Sequence, residues 1–316
     1  MDFTGGLTFT GGLSVTPQPP PSQKGIFGYG TLAGDAAGVS MTNLVSNTGV
    51  VASDTTGVGT VRYGLAAASY GTDKAIFGYG QQNYPDPGGS TSKTNLVSNT
   101  GVVATDTSNA NTGRSSLAAA GYGSDKAVFY GGSDRPTLVS NTGVLGSAGS
   151  SVGTLRYSLA ASGYGTDKAL FGYGTNNDNV LSITNLVSNT GVVANDTAGV
   201  GTARQYLAAA GYGTDKALFG YGSTSMSWIP TSITNLVSNT GVVATDTTGV
   251  GTVRANLAAT SYGVDTAIFG YGQGAAPTYT KLSMTNLVSN TGVVASDTTG
   301  VGTARLGLAA AGYGLS

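Results

Sequence analysis

Leu65-Ala66-Ala67-Ala68-Ser69-Tyr70-Gly71-Thr72-Asp73-Lys74-Ala75-Ile76-Phe77-Gly78-Tyr79-Gly80 decides how this chain is read. Two short runs of small, aliphatic and aromatic residues flank Gly71-Thr72-Asp73, a run of turn formers, so the stretch reads as two strands and a tight turn. The pattern recurs. Leu-Ala-Ala-x-x-Tyr-Gly starts at Leu65, Leu117, Leu159, Leu207, Leu257 and Leu308. Phe-Gly-Tyr-Gly starts at Phe27, Phe77, Phe171, Phe219 and Phe269, and is altered once, to Phe129-Tyr130-Gly131-Gly132. Leu-Val-Ser-Asn-Thr-Gly-Val starts at Leu44, Leu96, Leu138, Leu186, Leu236 and Leu287, with spacings of 52, 42, 48, 50 and 51 residues.

Each unit predicts four strands, over 65–70, 74–79, 94–99 and 102–106 in the second copy. The alanines of the first suit a crowded inner wall. No segment keeps a helical period for three turns. Units of about 50 residues with four short strands fit the blades of an all-β propeller. The two ends favour a ring of six blades. The first unit opens on a second strand, Lys24-Gly25-Ile26-Phe27, and the last residues, Leu308-Ala309-Ala310-Ala311-Gly312-Tyr313-Gly314, form a first strand. Together they complete one blade, and a ring leaves no unpaired edge. The expected organisation is an extended N-terminal arm, 1–23, and a propeller, 24–316.

Composition excludes several functions. The chain has no His, no Cys and, among 15 acids, no Glu, so it lacks the usual general base, thiol nucleophile and soft metal ligands. An enzyme would need paired aspartates in one cleft, and no such pair can be placed. A net charge of −1 with 9% charged residues argues against nucleic acid and against an anionic membrane surface. Met1-Asp2-Phe3-Thr4-Gly5-Gly6 lacks the features of a secretory signal, and no apolar run approaches a membrane span. Asn176-Asn177-Asp178-Asn179 and Asp86-Pro87-Gly88 carry hard oxygen ligands but read better as turns than as calcium loops. No cofactor is expected.

The unit resembles the kelch repeat over residues 24–314. An Arg (Arg62) leads into a small-residue strand (Leu65-Ala66-Ala67). An apolar strand follows (Ile76-Phe77-Gly78-Tyr79-Gly80), then a variable loop and Thr94-Asn95-Leu96-Val97. The next unit begins at Thr112-Gly113-Arg114. Gly-Tyr-Gly stands where kelch units have a glycine doublet, except at Gly131-Gly132, and the usual fourth-strand tryptophan is missing. The resemblance implies architecture and transfers no function. Near-identical repeats rich in Gly, Thr, Asn and Ser also resemble, in texture, virion proteins of tailed bacteriophages such as tail fibres and capsid decorations.

Function is therefore sought in what does not repeat. In the arm, Phe3-Thr4-Gly5-Gly6-Leu7 recurs as Phe9-Thr10-Gly11-Gly12-Leu13 before a Pro-rich spacer. Phe3, Leu7, Phe9 and Leu13 mark a docking strand for other virion proteins; a disordered tail is the plainer alternative. The loops at 31–41, 81–93, 133–136, 175–183, 223–233 and 273–283 vary, and in a propeller they share one face. Tyr84, Lys93, Arg135, Trp228, Tyr279 and Lys281 on them are candidates for binding a host-surface glycan or protein. Drifting loops, with Trp228 and Ile229 packed on a neighbour, are the alternative.

One Arg per unit (62, 114, 156, 204, 254, 305) is expected to pair with a nearby Asp, for which Asp54, Asp106, Asp196, Asp246 and Asp297 are the repeat-matched candidates, or with loop carbonyls, rather than to bind an anion. The third unit has Gly146-Ser147-Ala148-Gly149 in place of that Asp, so Arg156 is expected to need other partners. Repeat tyrosines are expected in contacts between blades. The favoured function is a non-enzymatic structural and interaction protein located in a phage particle. The alternative is a lectin-like propeller.

Overall fold

The computed structural model describes residues 23–32, 38–82 and 89–314. Among them there is no helix; nineteen strands form six small antiparallel sheets. Sheet 1 contains β1 (Lys24–Gly28) and β2 (Thr42–Val45). Sheet 2 is β3 (Ala66–Tyr70), β4 (Lys74–Gly78) and β5 (Thr94–Val97). Sheet 3 is β6 (Ala118–Tyr122), β7 (Lys126–Tyr130), β8 (Thr137–Val139) and β9 (Leu145–Ala148). Sheet 4 is β10 (Ala160–Tyr164), β11 (Lys168–Gly172) and β12 (Thr184–Val187). Sheet 5 is β13 (Ala208–Tyr212), β14 (Lys216–Gly220) and β15 (Thr234–Val237). Sheet 6 is β16 (Ala258–Tyr262), β17 (Thr266–Gly270) and β18 (Thr285–Val288). The last strand, β19 (Ala309–Tyr313), pairs with β1 from Lys24↔Tyr313 to Gly28↔Ala309 and joins sheet 1.

Burial explains the strand sequences. In β3, Ala66, Ala68 and Tyr70 are buried while Ala67 and Ser69 are half-buried, the period-two alternation of a strand with one open face. In β4, Ala75, Ile76, Phe77 and Gly78 are all buried, because a neighbouring sheet covers each face. Each core cluster is shared by two consecutive sheets. Tyr29 and Ile26 of sheet 1 pack with Phe77 and Val97 of sheet 2, and Phe27 packs with Tyr271 and Ile268 of sheet 6. Tyr29 meets Phe77 edge-on at 5.1 Å, and Phe27 meets Tyr271 at 5.2 Å. In five of the six units this packing leaves room only for the glycine that follows the phenylalanine; in the third, Tyr130 occupies that position. A Cβ on Gly28 would lie 2.7 Å from Phe77 Cζ.

The Asn-Thr-Gly turn is read the same way. Gly101 has φ +84°, and a Cβ there would lie 2.8 Å from the Tyr313 ring. Its left-handed backbone and the tyrosine of the preceding sheet both demand glycine.

The expected fourth strand forms only in sheet 3. In sheet 1, two isolated bridges, Thr42↔Thr55 and Val45↔Val51, replace it, and the same pairs of bridges recur in sheets 2, 4, 5 and 6. Between these bridges residues 43–44 oppose residues 52–54, so the outer segment carries an extra residue, a bulge. The bulge re-aims Asp54, whose carboxylate accepts hydrogen bonds from Thr303 N–H and Oγ1. Sheet 3 has no aspartate at this position, and there the outer segment is the strand β9.

Candidate functional site

The polar residues that repeat are used up between sheets. Arg62 is fully buried. Its guanidinium lies 4.6 Å from the centre of the Tyr29 ring of sheet 1. On the other side Nη2 donates to Asn95 Oδ1 at 2.6 Å and Nη1 lies 3.4 Å from Asp106, both of sheet 2. Arg204, Arg254 and Arg305 repeat the arrangement with Asp246, Asp297 and Asp54. Arg305 joins Tyr271 of sheet 6 to Asn43 of sheet 1.

Arg62, Arg204, Arg254 and Arg305 therefore reach the acid of the following unit. The aspartate missing from the third unit is the one that Arg114 would face. Arg156 also needs other partners, as expected, because Asp196 acts on it only from beyond ion-pair distance. Thr137 stands where the other units have Asn, and Arg114 donates to Thr137 Oγ1 at 2.6 Å and to the Arg135 carbonyl at 2.9 Å. Arg156 donates to Asn185 Oδ1 and to the carbonyls of Tyr173 and Ile183. The six arginines lock sheets together and leave no cationic ring open to an anion.

The same network holds Asp106 well below the usual carboxylate range, at about 2. Partial burial opposes ionisation, but hydrogen bonds from Thr60 and Asn95 and the charge of Arg62 outweigh it. A depressed folded-state value stabilises the protein above the unfolded value near 4, and this contribution disappears as pH falls from about 4 to about 2. Asp54, Asp196, Asp246 and Asp297 shift the same way. The urea midpoint is therefore expected to drop over this window, and Asp106→Asn should flatten the drop. An equal slope in the variant would show that Asp106 contributes nothing.

The second-strand tyrosines are fully buried, and Tyr29, Tyr130, Tyr173, Tyr221 and Tyr271 donate to carbonyls of residues 58, 152, 200, 250 and 301. Tyr79 Oη has no partner among the described residues, and residues 108–112, Ser-Asn-Ala-Asn-Thr, lack the Val-Gly-Thr whose valine carbonyl accepts this bond in the other five units. At Asn176, the side chain accepts the N–H groups of Asp178 and Asn179, an ordinary turn.

What varies lies where first strands begin and second strands end. Immediately before the six repeat leucines stand Gly64, Ser116, Ser158, Tyr206, Asn256 and Gly307, all with positive φ. Their backbones bond to one another. Ser116 N–H donates to Gly64 O, Ser158 to Ser116, Tyr206 to Ser158, Asn256 to Tyr206, Gly307 to Asn256 and Gly64 to Gly307. They surround a dimple of about 80 Å³ floored by the leucines.

Trp228 stands beside this dimple. Its ring lies 5.7 Å from that of Tyr206, and Nε1 donates to the Gly274 carbonyl at 3.1 Å. Met226 of the same loop accepts from Thr175 Oγ1 and Gln205 Nε2. One loop of sheet 5 is thereby tied to loops of sheets 4 and 6. Trp228 and Tyr279 hold φ of +61° and +46°, costly for bulky side chains and frequent at functional sites. Met226, Ile229 and Tyr279 are exposed at 51, 58 and 43%.

The other candidates are dispersed. Lys93 Nζ donates to Thr60 Oγ1 at 2.7 Å and lies 3.4 Å from Asp106, inside the inter-sheet network. Arg135 is exposed, and Lys281 is half-buried at a bridge to Gln273. Tyr84, Phe3, Leu7, Phe9 and Leu13 lie outside the described residues. Tyr206 and Asn256 were missed as candidates, although their position holds only Gly or Ser in the other four units.

At the opposite ends of the strands is a second cavity, of about 310 Å³, lined by Tyr122, Lys126, Thr166, Lys168, Lys216 and Gln23 among others. Its lysines pair with the preceding aspartates, as Lys126 does with Asp125 at 2.6 Å. Gln23 pairs with Gly263, and a Cβ on Gly312 would fall on the Gln23 side chain. No protein-family model matches this chain, and no curated protein matches it significantly.

Proposed function

We propose that the six sheets are the blades of a closed, kelch-like β-propeller that acts without catalysis as a display and attachment component of a tailed-phage-type particle. Other virion proteins hold it through residues 1–23. Its variable loops face a host-surface glycan or protein. No cofactor, nucleic acid or membrane takes part. The pairing of β19 with β1 supports closure, as do the six backbone bonds that run from Gly64 through the other five positions back to Gly64.

One observation carries the functional reading. Gln23, to which residues 1–22 are joined, is at one end of β1, and the first variable loop leaves from the other end. Attachment and display therefore occupy opposite faces, while the repeated polar residues between them are consumed in holding the blades. The texture of the repeats favours a virion setting. The Tyr206–Trp228 pair favours the second reading, a carbohydrate-binding propeller; the two are compatible when the displayed face binds the sugar.

Deleting residues 1–22 should leave the thermal unfolding midpoint within about 1 °C, because all nineteen strands remain in the shortened chain. The same deletion should abolish incorporation, measured as copies per purified particle. A truncated chain that still joins particles at the wild-type level would overturn the attachment role.

A further inference from the structure

We infer that the axial dimple and the Tyr206–Trp228 pair form a binding site for one end of a neutral saccharide. This rests on the proposal that the variable-loop face is the displayed face, and it names the ligand class. A sugar ring has apolar C–H patches edged by hydroxyls, and the site has the complementary pattern. Its floor is six leucines, each only 5–6% exposed. Its rim carries the side chains of Ser116 and Asn256, half-buried, and of Ser158, 7% exposed, and none of the three side chains makes a hydrogen bond among the described residues. The Tyr206 ring forms one wall, with Trp228 tilted against it at 51°.

Charge and size narrow the ligand further. Among the described residues, no Asp, Lys or Arg lines the dimple. The arginines two residues before each rim position are buried and bound within the inter-sheet network. An anionic or cationic ligand would find no countercharge there among the described residues. A volume of about 80 Å³ takes only the tip of a ligand, so the remainder lies on the aromatic wall. The wall is preorganised. The indole N–H is held by Gly274, and Met226 is held by Thr175 and Gln205, so little ordering is left to oppose binding. The contrast with the lysine-lined cavity on the other face is marked, since that cavity presents paired charges.

The repeat supplies its own mild substitutions. Tyr206→Ser and Asn256→Ser place at these positions the residue already found at Ser116 and Ser158, with φ of +54° at both. Trp228 is the only tryptophan, so its fluorescence reports on this site alone. The full chain is titrated with glucose, galactose, mannose, rhamnose, N-acetylglucosamine and N-acetylgalactosamine, and in parallel with glucuronate. At least one neutral sugar should shift the emission saturably, and glucuronate should bind more weakly. Tyr206→Ser and Asn256→Ser should each weaken that binding about tenfold, as loss of an aromatic or polar anchor does. Lys216→Ala, in the opposite cavity, should leave it unchanged. All variants should keep the wild-type unfolding midpoint.

No saturable response to any of the six neutral sugars would overturn the inference, as would binding unaffected by both rim substitutions. Loss of binding with Lys216→Ala would transfer the site to the other face. A chain that fails these tests yet still joins particles through residues 1–22 would leave the display role standing.

Discussion

A chain ending at Gly307 is expected to lose its cooperative thermal transition. Such a truncation removes β19, whose five residues pair with all five of β1 along one edge. It also removes Leu308, Ala309, Ala311 and Tyr313, all buried to within 6% of full coverage. Burial of one large apolar side chain is worth about 1.5–3 kcal/mol, so the leucine, the tyrosine and the alanines together represent roughly 4–8 kcal/mol. The loss of the ladder bonds adds to this. Native domains are stable by only about 5–15 kcal/mol, so the truncated chain should be largely unfolded or aggregated. Circular dichroism and calorimetry measure this directly. A two-state transition at the wild-type midpoint would show that β19 is dispensable.

The complementary chain should fold. A permutant that starts at Leu306, continues through Gly314-Thr-Asp into Lys24 and ends at Arg305 recreates the Gly71-Thr72-Asp73-Lys74 turn. It should match the wild-type midpoint.

The second large effect is expected at the buried arginines. Arg305→Met removes a guanidinium that donates to the Tyr29 carbonyl at 2.8 Å, to Asn43 Oδ1 at 2.7 Å and to the Thr303 carbonyl at 3.1 Å. It also leaves Asp54 without the nearby cation, 3.9 Å away. Breaking a buried charged network from one side typically costs about 3–5 kcal/mol, because the remaining partners stay desolvated. Arg114→Met should cost less, about 1–3 kcal/mol, since its partners are a hydroxyl and a carbonyl. Lysine should rescue neither site, because it cannot reach several acceptors in one plane. Equal losses in the two methionine variants would contradict the distinction between charged and neutral partners.

Much of the fold was legible because the repeat writes each element six times. The strands around Ala66, Lys74 and Thr94 start within a residue of their expected positions, since turn formers bound them tightly. The fourth strand expected in every unit forms only in sheet 3, because Val102 to Asp106 has strand composition, while its bulge depends on an aspartate engaging the adjacent unit. The phase of the arginine pairing was hidden for the same reason. Periodicity reports that Arg62 and Asp54 share a unit, but not that Arg62 spans to Asp106. Of the candidate site, Trp228 was visible through its rarity. Tyr206 was not, because it lies in a strand-entry position rather than in a variable loop, and it comes beside Trp228 through the pairing of Gln205 with Ser223 beyond the end of the β13–β14 hairpin.

The pairing of β19 with β1 has a consequence for biosynthesis. Arg305 reaches the Tyr29 carbonyl across 276 residues of chain, so sheet 1 stays incomplete until residues 305–314 have left the ribosome. Meanwhile β1 presents an open edge, and β3, β6, β10, β13 and β16 each carry nearly the same five residues as its true partner. Any of them from a second nascent chain can occupy that edge in register, which leads to swapped dimers or polymers instead of monomers. Slow synthesis, crowded polysomes or overexpression should therefore favour interlocked assemblies of intact units. Their sheets would be indistinguishable by spectroscopy from those of the monomer and separable only by size.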